Sequence, residues 1–311
     1  MANIDTVRLN FDPGSLTILS IVLGFVMFGV ALDVTRSDLL RVAREPRAAL
    51  IGLSSQFVLL PALTYLLTRI LDPPPSIALG MILVSACPGG NLSNFFTNLA
   101  GGRTALSIGM TAVSTCAAVV MTPLNLSIWG GLHPGTRALL QAVGMDPVAM
   151  LVTILLMLAV PLVLGIVVAE RAPAVAARLR GPLKTLSIAF FLTFVVVAFH
   201  ANLDHFVALI AVLFAPVAIQ NALALGGGYG MARFLGLSPG EARAVSIETG
   251  IQNSGLGLIL VFDFFDGLGG MAVICGWWGI WHIVAGMALA AFWSRRPLLA
   301  PGVIAGAAHG G

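Results

Sequence analysis

Pro88-Gly89-Gly90-Asn91-Leu92-Ser93-Asn94 and Glu248-Thr249-Gly250-Ile251-Gln252-Asn253-Ser254-Gly255 are the two stretches that decide how this chain folds. Each is a polar, glycine-bearing interruption near the middle of an apolar run long enough to cross a bilayer. In hydrocarbon a helix can break only where it lines a cavity or is buried in protein, because its freed N–H and C=O groups need partners. Two such breaks at matching places in the two halves of a chain point to the binding site of a transporter.

The rest of the chain fits that setting. Of 311 residues, 58% are hydrophobic and 9% charged, against roughly 25% charged in a soluble domain. So apolar a chain cannot hide its hydrophobic residues in one core, and the expected class is an all-α polytopic membrane protein. Runs of about 20 apolar residues fall at 16–34, 47–70, 76–100, 104–129, 147–169, 181–201, 205–235, 240–265 and 267–293, nine in all. The third and eighth carry the breaks. The N-terminus lacks the basic lead of a signal peptide.

Lysine and arginine set the orientation. With the N-terminus outside, the inside loops hold 13 of the 16 basic residues, and the outside holds only Arg8, Arg69 and Arg137. The C-terminus is then cytoplasmic, and the plasma (inner) membrane is the expected location. The net charge of +3 comes from these loops and does not argue for nucleic acid. Cys87, Cys116 and Cys275 all lie in apolar runs, with no disulfide framework and no metal-ligand spacing. Cys116 and Cys275 read as packing residues, and Cys87, beside the first break, as an accessible thiol.

An internal repeat is visible at an offset of 164: Gln56 matches Gln220 (220 − 56) and Pro75 matches Pro239 (239 − 75). At that offset the two breaks align, and the spans that hold them run in opposite directions, as in an inverted-topology repeat. The repeats are expected at 16–130 and 147–294, the first one helix short.

Glu248 is the only acidic residue between Glu241 and Asp263. An ionisable group inside a span costs about 2.5–3.5 kcal/mol on insertion scales and marks a functional site by default. With the arginines assigned to the loops, its partner is a cation, a proton or hydrogen bonds. Ser93 and Asn94 lie at the first break. Ser107 and Thr111, four apart, share one helix face. Gln252 lies four residues after Glu248, and Gln56 sits inside its own span. Neutral oxygens suit a cation stripped of water, and a single carboxylate suits a monovalent one, most simply Na⁺. No cluster of carboxylates for Ca²⁺ or of His and Cys for zinc is present. Half-helix N-termini carry partial positive charge and free N–H groups, so two of them meeting near the midplane form an anion site. His282, beside Trp281, reads equally well as a packed histidine or as a substrate contact.

Cys87-Pro88-Gly89-Gly90, then Ser93-Asn94, then Glu248 to Leu256 resemble the bile acid:sodium symporter family, in its bacterial branch, and the resemblance covers nearly the whole chain. It implies two crossed discontinuous helices in a core domain (about 47–129 and 205–293) and a smaller panel (about 16–34, 147–169 and 181–201). It implies two Na⁺ sites and no organic cofactor. One site takes Ser93, Asn94, Ser107, Thr111 and Glu248. The other takes Gln56, Glu248 and Gln252 with the carbonyls of Thr249 and Ile251. The substrate positions are Pro88, Gly89, Gly90, Asn91, Asn253, Ser254 and His282. Asn91 departs from the small hydroxyl residue that bacterial relatives often carry there, and the first helix of their ten-helix form is missing.

The expected function is sodium-coupled symport of a small organic anion (bile acid-like, pantoate or keto acid) by alternating access. The expected partners are that anion and the membrane lipids, with the oligomeric state left open and a monomer one option. The alternative is a related exporter, for example of arsenite, acting through Cys87. No catalytic motif suggests an enzyme.

Overall fold

The computed structural model describes residues 4–5, 13–32, 46–144, 146–183, 185–186, 189, 203–296 and 298. Eleven helices can be labelled among them. They are α1 (Pro13–Ala31), α2 (Pro46–Leu71), α3 (Pro75–Ala86), α4 (Leu92–Leu99), α5 (Thr104–Leu132), α6 (Pro134–Val143), α7 (Pro147–Arg171), α8 (Leu203–Phe234), α9 (Pro239–Gly250), α10 (Ser254–Phe265) and α11 (Gly269–Ser294). Residues 173–183 are also helical. No strand occurs among the described residues.

This is an all-α membrane protein. α2, α5, α7 and α11 are each long and apolar enough to cross a bilayer, and α3 and α10 are shorter apolar helices. Their outward faces stay apolar: Leu50, Val58, Leu66, Val152, Leu156, Leu164 and Phe292 are all exposed. A large apolar surface of this kind suits contact with lipid.

Of the nine expected spans, the third resolves into α3 and α4, and the eighth into α9 and α10. The sixth, 181–201, lies mostly outside the described residues. α6 was not anticipated from the sequence.

Prolines open both broken segments. Pro75 and Pro239 stand at the first helical position, where a missing N–H is no loss. At α9, Ser238 and Glu241 complete a capping box. Buried residues fill α3 from Ser76 to Ala86 without interruption, because α2, α5 and α11 pack around it. α8 packs along α9, and α1 along α7, with α1 also touching α10.

Two spans contain a π-helical turn, Ser55–Leu59 in α2 and Leu155–Ala159 in α7. Pro61 and Pro161 follow two residues later. A proline ring pushes away the carbonyl four residues back, and a one-residue slip of the ladder relieves that contact. Proline alone does not decide it, since Pro123 and Pro216 lie inside α5 and α8. The turn in α2 sets where Gln56 points.

Candidate functional site

The two breaks cross and pair through their backbones. Gly89 and Gln252 form an antiparallel bridge. Gly90 N donates to the Ile251 carbonyl at 2.6 Å, and Asn253 N donates to the Pro88 carbonyl at 2.9 Å. These are groups that the helix ends would otherwise leave unsatisfied, and each break supplies the other's partner. The crossing is tight. A Cβ on Gly89 would run into the Glu248 carboxylate, and one on Gly90 would sit 2.8 Å from the Gln252 carbonyl oxygen.

Glu248 sits on the last turns of α9 and is 2% exposed. Its carboxylate is met by hydroxyls from two other helices. Ser93 Oγ donates to Oε2 at 2.6 Å, Thr111 Oγ1 lies 2.9 and 3.0 Å from Oε1 and Oε2, and Ser107 Oγ is 3.3 Å from Oε2. Thr111 Oγ1 also reaches Asn94 Oδ1 at 3.3 Å. The structure thus brings Ser93, Asn94, Ser107, Thr111 and Glu248 into one cluster, buried except for the half-buried Asn94. Thr97 joins its edge through a 3.3 Å bond to Ser107.

A second polar cluster adjoins it. Gln56 Nε2 donates to the Cys87 carbonyl at 2.8 Å and to Gln252 Oε1 at 2.7 Å. Gln252 Nε2 donates to the Thr249 carbonyl at 2.6 Å. Thr249 Oγ1 donates to Ser55 Oγ at 3.0 Å. Gln56, Thr249, Ile251 and Gln252 are all buried, so every residue expected at the second cation position lies at the crossing.

The positions expected near the anion are spread over the same crossing. Asn253 caps α10, its Oδ1 accepting from Leu256 N at 3.1 Å. Asn91 is the N-cap residue of α4 but makes no side-chain capping bond. Ser254 N bonds the Gln252 carbonyl at 3.0 Å. His282 is buried on α11, with Nδ1 unpartnered among the described residues. Gly286, one turn further, faces Ile251 and Phe96, which puts His282 on the side of α11 that meets the crossing.

Three expectations are corrected. Arg243, counted with the inside loops, is buried within α9 at 5% exposed. It does not pair with Glu248. Its guanidinium turns to the carbonyls of Ala100, Trp293 and Arg296 at helix ends, which accept its charge-bearing N–H groups. Cys87 is not accessible: it is 0% exposed, walled with Cys275 around Gly257. Cys116 is not a packing residue. It is exposed on α5, one helical turn before Val120, which is exposed too.

Comparison with known proteins gives the family. The model of the sodium bile acid symporter family matches residues 20–209. The chain belongs to the sodium bile acid symporter family. It is similar to YocS of Bacillus subtilis, described as an uncharacterized sodium-dependent transporter, with 30% identity over 278 residues, 89% of this chain and 83% of that one. It is also similar to the rice chloroplastic protein described as probable sodium/metabolite cotransporter BASS1, with 30% identity over 275 residues, 88% of this chain and 65% of that one. Rat sodium/bile acid cotransporter 5 is 29% identical over 257 residues, 83% of this chain and 58% of that one. The chain therefore spans less than two thirds of the length of the rice and rat relatives.

Sequence reasoning missed Asn221, Thr97 and Ser55. The hydroxyls carry no local signal. Asn221 stands next to Gln220, the residue that the repeat did single out.

Proposed function

We propose that this chain is a sodium-coupled symporter of an organic anion, with both Na⁺ ions and the anion bound where the two breaks cross. The observation that carries the reading is Glu248, a buried carboxylate between two clusters of neutral oxygen groups. The first ion takes Ser93, Asn94, Ser107, Thr111 and Glu248. The second takes Gln56, Glu248, Gln252 and the carbonyls of Thr249 and Ile251. Hydroxyls that donate to Glu248 keep lone pairs for a cation, and a single shared carboxylate suits ions of charge +1.

The anion faces the N-terminal ends of α4 and α10, where free N–H groups and the helix dipoles favour negative charge. Asn91, Asn253 and His282 provide polar contacts there. The crossed segments form the moving core, and α1 with α7 forms part of the panel against which it rocks. The two halves form inverted repeats. The N-terminus lies outside and the C-terminus in the cytoplasm. The names of the bacterial, plant and rat relatives support sodium coupling, and those of the plant and rat relatives a metabolite or bile acid as the cargo. The buried thiol of Cys87 leaves the exporter reading without its key residue.

The test is thermal shift of the purified protein in Na⁺ against K⁺, combined with a screen of bile acids, pantoate, keto acids and sulfated steroids. Uptake of the stabilising acid into proteoliposomes follows. Glu248→Gln is expected to leave a folded protein without sodium-dependent uptake. Unchanged sodium dependence in Glu248→Gln would sink the assignment.

A further inference from the structure

Both breaks are held by the same device. Gln56, on α2, donates Nε2 to the carbonyl of Cys87, 31 residues on, at 2.8 Å. Asn221, on α8, donates Nδ2 to the carbonyl of Gly250, 29 residues on, at 2.8 Å. Cys87 is the C-cap of α3, and Gly250 is the last helical residue of α9. They stand the same distance apart as the bridged pair Gly89 and Gln252, since 250 − 87 = 252 − 89 = 163. In each half, an amide on the preceding long helix takes up a carbonyl that the break has orphaned. Both amide oxygens, Gln56 Oε1 and Asn221 Oδ1, are buried without a hydrogen-bond partner among the described residues.

The sequence offset of 164 pairs Gln56 with Gln220 instead. Gln220 turns elsewhere, to Thr64 Oγ1 at 3.0 Å and the Met81 carbonyl at 2.9 Å. The counterpart of Gln56 in contacts is Asn221.

Three consecutive carbonyls in the second break each have one donor. Thr249 O accepts from Gln252 Nε2 at 2.6 Å, Gly250 O from Asn221 Nδ2 at 2.8 Å, and Ile251 O from Gly90 N at 2.6 Å. The first and third are the backbone ligands assigned above to the second ion. The middle one belongs to a glycine, whose backbone has the widest freedom to turn. We propose that Asn221 is a positioning residue for the second sodium site. It fixes the Gly250 peptide, so that the carbonyls on either side keep their aim. This inference rests on the sodium reading above.

The test is a Na⁺ titration of the purified full chain by thermal shift, at constant ionic strength with choline as the replacement ion. Asn221→Leu keeps the side-chain volume close and removes the donor. Its half-saturating Na⁺ concentration is expected to rise about three- to tenfold, the range of one lost hydrogen bond. Gln220→Leu, next door and equally buried, is the control: it lowers the melting temperature and leaves half-saturation at the wild-type value. If Asn221→Leu does not fold, Asn221→Ser carries the test, with a rise in the same direction. A folded Asn221 variant with wild-type half-saturation overturns the inference. So does a Gln220→Leu shift as large as that of Asn221→Leu, which would mean general loosening. If the wild-type chain shows no stabilisation specific to Na⁺, the sodium reading itself has failed and this inference falls with it.

Discussion

Ser93 and Glu248 lie 155 residues apart in the chain, and the Ser93 hydroxyl donates a 2.6 Å hydrogen bond to the Glu248 carboxylate. One residue comes from the first break and the other from the second, so this bond joins the two broken segments through their side chains as the bridge between Gly89 and Gln252 joins them through their backbones. A bond to a charged group is worth about 1.5–3 kcal/mol, and 1.4 kcal/mol is a factor of ten in an equilibrium. Ser93→Ala is therefore expected to raise the half-saturating Na⁺ concentration about tenfold or more. Sodium titration by thermal shift checks this. Ser93→Thr keeps the hydroxyl and should recover part of the loss; equal behaviour of the two variants would refute a role for the hydroxyl.

Gly89 faces the other side of the same carboxylate. A methyl group there meets Glu248, and neither crossed segment can retreat without breaking the Gly90–Ile251 and Asn253–Pro88 bonds. Overpacking of this kind costs about 1–3 kcal/mol. Gly89→Ala is expected to lower the melting temperature by several degrees and to cut sodium-dependent uptake more than tenfold. Gly131, with open space around its Cβ direction, is the control, and Gly131→Ala should leave both quantities near wild type.

The breaks, the carboxylate and the oxygen groups around it were legible in the sequence because each violates its surroundings. Glu248 is an acid in an apolar run, and Pro88-Gly89-Gly90 cannot continue a helix. Ser107 and Thr111 could be placed together because helical spacing is local. Contacts set by tertiary packing were not legible. Gln56 is aimed by a π-helical turn that no residue count reveals. Asn221 is matched to Gln56 only after a slip, since the two amides stand 31 and 29 residues before their carbonyls. Arg243 was misplaced because a basic residue near a span end usually lies in water, and the carbonyls that receive it come from Ala100, Trp293 and Arg296, far away in sequence.

If two Na⁺ enter with one monovalent anion, as proposed, one net positive charge moves inward. Moving one charge through 100 mV is worth about 2.3 kcal/mol. Uptake into proteoliposomes is therefore expected to rise when a potassium diffusion potential makes the interior negative, and to fall when the potential is reversed. Insensitivity to both potentials would mean electroneutral transport and would remove one of the two ions.

The two arginine contacts at the N-terminal end of α9 differ in how much their charges matter. Arg103 and Glu241 form a 2.8 Å ion pair with side chains 34% and 16% exposed. A partly exposed pair is worth about 0–1 kcal/mol, so Arg103→Gln should shift the melting temperature little. Arg243 is 5% exposed and bonds the carbonyls of Ala100 at 2.6 Å and Arg296 at 2.7 Å, with its guanidinium 5.5 Å from the Trp293 ring centroid. Arg243→Met keeps the length of the side chain but leaves those carbonyls without their donor, and each buried orphan costs about 1–3 kcal/mol. The expected result is a much larger fall in melting temperature than for Arg103→Gln. The half-saturating Na⁺ concentration should stay at wild type in protein that remains folded, because the guanidinium points away from Glu248. A drop in sodium affinity without loss of stability would show instead that Arg243 acts on the carboxylate five residues further along α9.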